Sequence, residues 1–103
     1  MLVVNTESIP GREYEVISLV KGNIVQSKHI GRDIAAGFKT IIGGEIRGYT
    51  EMLSEAREAA TMRMIENAQS MGADAIVNVR YATSQIMENA AEVIAYGTAV
   101  MFR

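Results

Sequence analysis

The spacing of apolar positions divides this chain into segments of different period. Leu2 to Val4 is a short apolar piece, and Ser8-Ile9-Pro10-Gly11 reads as a turn. Glu13 to Val20 is rich in β-branched and aromatic residues and reads as a strand that Lys21-Gly22-Asn23 ends or bends. From Ile30 to Ile42, Ile30, Ile34, Phe38 and Ile41 follow helical spacing, which predicts a short helix weakened by Gly31 and Gly37. Gly43-Gly44 stops it. After Gly48 the longest periodic segment begins, with Thr50 as N-cap, Glu51 and Glu55 suited to the positive end of the helix dipole, and Gly72 as a left-handed stop. That predicts a helix of about six turns. Leu53, Ala56, Ala60, Met64, Ala68 and Met71 fall on one stripe at about 100° per residue, while Glu51, Glu55, Glu58 and Glu66 face away. Because the stripe is mostly small, whatever it packs on must come close.

Two further strands are expected, Ala75 to Tyr81 and Glu92 to Phe102, joined by a polar link from Thr83 to Asn89. Alternation in the last strand puts Val93, Ala95, Gly97, Ala99 and Met101 on one face and Ile94, Tyr96, Thr98, Val100 and Phe102 on the other. The small-residue face matches the small-residue stripe of the helix. One helix covers one face of a three-stranded sheet, so Ile94, Tyr96, Val100 and Phe102 are left outward. A wet patch of that kind is unusual on a monomer, and it predicts a homo-oligomer with another subunit on this face.

Composition narrows the function. At 103 residues the chain is a single domain, residues 1–103, burying roughly two thirds of its unfolded surface. Ten basic and twelve acidic side chains give a net charge of -2, which argues against a nucleic-acid partner. There is no cysteine, hence no disulfide, no thiolate nucleophile and no Cys-based metal site. No apolar run approaches the ~20 residues that span a bilayer, and the start lacks the features of a signal peptide, so no membrane partner and a cytoplasmic location are expected.

Asp33-Ile34-Ala35-Ala36-Gly37, Gly43-Gly44, Tyr49 with Ser54-Glu55-Ala56-Arg57, Gly72-Ala73-Asp74-Ala75 and Ala95-Tyr96-Gly97-Thr98-Ala99-Val100 occur in that order. Together they closely resemble the YbjQ-like family of small bacterial and archaeal proteins, labelled heavy-metal-binding. The resemblance spans nearly the whole chain. It implies an α+β fold, a dodecin-subunit-like β-α-β-β unit whose three-stranded antiparallel sheet is backed by one long helix. It also implies short extra strands at subunit contacts and assembly into a pentameric ring. The family label is the only indication of a metal ion as cofactor. Soft metals prefer sulfur ligands and many transition ions imidazole, yet this chain has no Cys and one His.

Candidate chemistry is correspondingly thin. His29 and Asp33, four apart, could meet one ion, but two ligands are too few for a closed site unless an oligomer repeats them about an axis. The bland reading of His29, an exposed residue at a helix start, is preferred. Met64 and Met71 read as core rather than as copper ligands, and Met62 projects opposite the stripe. Arg57 falls between Leu53 and Met64 on the helical wheel and therefore must snorkel or find a carboxylate, with Glu92 and Glu45 as the candidate partners. An ion pair fixing the helix to the sheet or to a neighbour is preferred over an anion-binding role. Gly43, Gly44 and Gly48 around Glu45 lack the P-loop pattern and read as a hinge between two helices. No nucleophile stands at a spacing from a base that suggests catalysis. The leading expectation is a non-enzymatic homo-oligomeric binding or scaffold protein whose ligand sits between subunits, with Arg57, Glu92, Tyr96 and Glu45 as candidate ligand or interface residues. A metal-binding ring on His29 and Asp33 is the alternative, and a small enzyme with an intersubunit Arg57/Glu92 site is the third reading.

Overall fold

A computed structural model describes residues 1–27, 41–42 and 45–103. Strands β1 (Leu2–Val3), β2 (Tyr14–Ser27), β5 (Ala75–Met87) and β6 (Ala90–Phe102) form one sheet in the order β1-β5-β6-β2. β3 (Ile41–Ile42) and β4 (Glu45–Ile46) pair antiparallel as a separate short ribbon, and β4 runs directly into the helix α1 (Arg47–Ser70). The fold is α+β, with β5, β6 and β2 antiparallel as expected. A fourth strand corrects the expected count of three: Leu2 and Val3 pair in parallel with Ala75 and Ile76.

The boundaries show which local signals lost to tertiary structure. β2 does not end or bend at Lys21-Gly22-Asn23 but continues to Ser27, paired with β6 throughout. Gly22 stays in the strand because α1 crosses directly above it: a Cβ built there would lie 2.3 Å from both Ala60 O and Met64 N. This close approach is what the small-residue stripe anticipates. Ala56, Ala60, Met64 and Ala68 are buried against Val20, Val93, Ala95 and Ala99, and Glu51, Glu55, Glu58 and Glu66 are exposed. Each fully buried Val, Ile or Met contributes about 1.5–3 kcal/mol relative to an exposed one.

The helix starts at Arg47, so Gly48 lies in its first turn, and Thr50 is not its cap. Gly48 is therefore not a breaker before the helix, and a strand directly precedes α1, while Gly43 and Gly44 of the expected hinge lie outside the described residues. The short helix expected over Ile30 to Ile42 falls mainly outside the described residues, and its last two positions form β3. At the other end the stop is as expected. Gly72 has φ +78°, Gly72 N donates to Gln69 O at 3.0 Å and Ala73 N donates to Ala68 O at 3.2 Å. These two bonds close the helix with the left-handed residue that glycine adopts without penalty. Met71, past the end of the helix, is 39% exposed rather than on the core stripe.

The polar link expected from Thr83 to Asn89 is strand for most of its length, turning only at Glu88 and Asn89, with Asn89 at φ 62°. Residues 81–88 are all exposed, so no burial pattern marks them as strand. The outward row is also corrected in part. Val100 is fully buried and Phe102 half-buried, because the chain's own N-terminal segment crosses that end of the sheet. Val4 and Ile9 pack with Ala75, Val77 and Val100, and the Arg12 guanidinium lies 4.5 Å from the Phe102 ring centre. Backbone bonds fix the segment: Val79 N to Val4 O at 3.1 Å and Asn78 N to Thr6 O at 3.0 Å. Asn78, at φ 55°, sits in the bulge of β5 that aims both N–H groups at it.

Candidate functional site

Arg57 leaves the stripe that the helical wheel assigns it. Its side chain is exposed on the edge of α1, and Nη2 donates to Ser54 Oγ at 3.2 Å. Thr61, one turn on, donates its hydroxyl to Arg57 O at 2.7 Å and lies 2.8 Å from the Tyr81 hydroxyl. With its single proton committed, Thr61 accepts the second bond and Tyr81 donates it. The row from Ser54 through Arg57 and Thr61 to Tyr81 ties the helix edge to β5.

Glu92 is on the opposite side of the sheet. It alternates with the buried Val93 and pairs across β2 with Val25 and across β5 with Ser84, and its carboxylate accepts from Asn23 Nδ2 at 3.4 Å. The expected Arg57–Glu92 ion pair is therefore not made within one chain, because the sheet separates the two groups. Glu45 lies in β4 opposite Ile42. His29 and Asp33 lie outside the described residues, as do Gly43 and Gly44. Among the described residues, no group of three or more His, Cys, Asp or Glu could hold a metal ion.

Tyr96 is the predicted residue that the structure places most informatively. Directly opposite residues in antiparallel strands share a face, so the register arrays the outer face in rows across β2, β6 and β5. Leu19 stands beside Thr98, Lys21 beside Tyr96 and Arg80, Asn23 beside Ile94 and Ala82, and Val25 beside Glu92 and Ser84. Arg80 is anchored through Nη1 to Asn5 O and Val79 O, each at 3.2 Å. Leu19 is 63% exposed, Val25 55% and Tyr96 38%. This is an aromatic and aliphatic surface flanked by two cations, with one carboxylate at its far end. Leu19 lay inside the expected strand Glu13 to Val20 but was assigned to neither face, and Val25 escaped sequence reasoning because the strand was stopped at Lys21. The missed signal is the period-2 series Leu19, Lys21, Asn23, Val25, which continues across Gly22.

Several residues that carry the family resemblance hold the fold together. Asp74 accepts the backbone N–H of Phe102 at 2.8 Å, while its own N–H donates to Val100 O at 2.9 Å, so it locks the start of β5 to the end of β6. At Gly97 a Cβ would lie 2.8 Å from Ile76 Cγ2 and 3.0 Å from Val77 O.

A family model described as "Putative heavy-metal-binding" matches residues 1–103. The chain is 67% identical over 101 residues to a UPF0145 protein of Photobacterium profundum, covering 97% of this chain and 98% of the relative. It is 61% identical over 100 residues to a UPF0145 protein of Clostridium novyi, covering 97% of each. Among solved structures, a protein of unknown function of the DUF74 family from Pediococcus pentosaceus superposes with a TM-score of 0.70 at 16% identity, covering 100% of this chain and 98% of that one. At that identity the likeness concerns the fold alone.

Proposed function

Starting from the fact that this chain belongs to the YbjQ-like family, we propose that it is a non-enzymatic homo-oligomeric binding or scaffold protein whose outer sheet face is covered by further copies of itself. The observation that carries this reading is the apolar surface of Leu19, Val25, Ile94 and Tyr96, which neither α1 nor the N-terminal segment reaches. Covering it removes apolar area from water at roughly 25 cal/mol per Å². A like copy also suits the charges, since Lys21 and Arg80 lie two rows from Glu92 on the same face. A ring of five is the stoichiometry that the family resemblance implies. No helix among the described residues is long and apolar enough to cross a membrane.

Multi-angle light scattering at micromolar concentration tests the assembly. The expected mass is several times the 11.2 kDa of the chain. The double substitution Leu19→Glu and Tyr96→Glu is expected to lower it while circular dichroism stays that of a folded α+β protein. A monodisperse monomer of the parent chain refutes the proposal.

The family description favours a second reading, a metal ion held between copies. Such an ion would draw on His29 and Asp33, or on residues of several subunits. Elemental analysis of protein purified without an affinity tag decides it, together with the melting temperature after treatment with a strong chelator. The expected result is no stoichiometric metal and an unchanged melting temperature. A drop of many degrees reversed by one specific ion would instead establish the metal reading.

A further inference from the structure

On the helix side of the sheet, one region is not filled by the helix. Thr83 pairs with Val93 and Gln85 with Ala91, which places all four side chains on the face that α1 covers. Val93 is fully buried, yet Thr83 and Gln85 are exposed. The difference arises because α1 lies along β2 and β6 and barely reaches β5. Between the first turns of the helix and the end of the β5–β6 hairpin this leaves a cleft of about 250 Å³.

We propose that this cleft binds a small, uncharged, planar molecule that lays an apolar face on Met52, Leu53 and Ala91 and hydrogen-bonds through its edge to Thr83, Gln85 and Asn89. Met52, 6% exposed, lies deepest, and Tyr49, Leu53, Ala90 and Ala91 line the cleft beside it. The rim carries Thr83, Gln85 and Asn89, whose side chains make no hydrogen bond to other described residues and together offer both donors and acceptors. Among the described residues, no Asp, Glu, Lys, Arg or His lines the cleft. A charged ligand would lose hydration there without gaining a counter-charge, whereas an amide or lactam edge finds partners of its own kind. Size narrows the class further. A cavity of about 150 Å³ accepts benzene, and drug-sized pockets begin at about 300 Å³, so this cleft suits one substituted ring.

The inference deepens the binding half of the proposed function and is separable from the assembly half, because mass reads one and a local resonance reads the other. The experiment is a titration of the full-length protein, labelled with ¹³C at its methionine methyls, with benzamide and in parallel with benzoate. Met52 reports on the cleft, Met64 on the core and Met101 on an exposed position distant from it. Benzamide is expected to shift the Met52 methyl with a Kd on the order of millimolar, leaving Met64 and Met101 in place, while benzoate shifts none of them. Ala91→Leu, which fills the cleft, is expected to abolish the response with the Met64 resonance unchanged. Gln85→Leu, at an exposed position that tolerates substitution, is expected to weaken binding several-fold. The proposal is overturned if Met52 does not respond to benzamide, if it responds equally to benzoate, or if the Ala91→Leu protein, still folded, binds as the parent does.

Discussion

Two isoleucines on one strand, Ile76 and Ile86, live in opposite surroundings: Ile76 is 0% exposed and Ile86 is 52% exposed. Ile76 belongs to the end of the sheet that is covered twice, by α1 on one face and by the N-terminal segment from Val4 to Ile9 on the other. Ile86 belongs to the hairpin end, where residues 81–88 are exposed and, among the described residues, the end of β2 and the start of α1 lie nearby. The same three strands thus build a two-sided core at one end and a largely uncommitted surface at the other. Stability concentrates where both faces are dry, and the hairpin end is left for whatever the protein contacts.

The sharpest way to break this contrast is to truncate both isoleucines. Ile76→Ala is expected to lose about 2–5 kcal/mol, because it removes buried methyl groups and leaves a cavity. Ile86→Ala is expected to change stability by no more than about 0.5 kcal/mol, as exposed substitutions usually do. Urea denaturation of the two variants checks this. Comparable losses would mean that the hairpin end is buried in the assembled protein, and the two regions would then no longer differ.

Gly22 lies where the two regions meet, directly under the helix backbone. Gly22→Ala is expected to lose about 1–3 kcal/mol, since its Cβ would press on Ala60 O and Met64 N rather than on a side chain that can rotate aside. The urea midpoint measures the loss. A neutral substitution would show that α1 can lift from β2 at little cost.

What the sequence reveals follows the same division. The stripe from Ala56 to Ala68, the Gly72 stop and the helix-facing row Val93, Ala95, Gly97 and Ala99 were legible because each is buried on one side and periodic on that account. The continuation of β5 to Met87 was not, because exposed Thr83, Ser84 and Gln85 resemble a loop when no face is dry. The extension of β2 past Gly22 was hidden by a glycine whose role is close approach rather than a turn. The cover over Val100 was invisible for another reason: it depends on the parallel pairing of Leu2 and Val3 with residues more than seventy positions away, which no local pattern encodes. Of the candidate site residues, Tyr96 lies on the exposed face expected of it. Arg57 does not keep its assigned place, because a wheel position next to the stripe still lets a long side chain point away from the sheet.

A smaller effect probes the tie between the regions. Tyr81→Phe removes the bond to Thr61 and is expected to cost about 0.5–1.5 kcal/mol. Amide exchange locates the change: the amides of residues 82–87 are expected to exchange faster while those of Ile76 and Val77 keep their rate. Uniform acceleration along β5 would show that the hairpin end does not open separately from the core.

The smallest expected effect belongs to Arg57→Met. In one chain the guanidinium is exposed and bonded to Ser54, and the carboxylate nominated for it, Glu92, faces the other side of the sheet. Removing the charge while keeping the stem should therefore cost less than about 1 kcal/mol, the usual range for an exposed polar contact. Thermal melts of parent and variant measure it. A much larger loss, relieved when Glu92 of every copy is also changed to Gln, would mean that a neighbouring copy brings its Glu92 to this arginine and buries the pair. The sheet that separates the two groups within a chain would then be bridged between chains, and Arg57 would belong to the interface rather than to the edge of a helix. If stability is unchanged and small anions raise the melting temperature of the parent but not of Arg57→Met, the guanidinium is instead held available for a ligand.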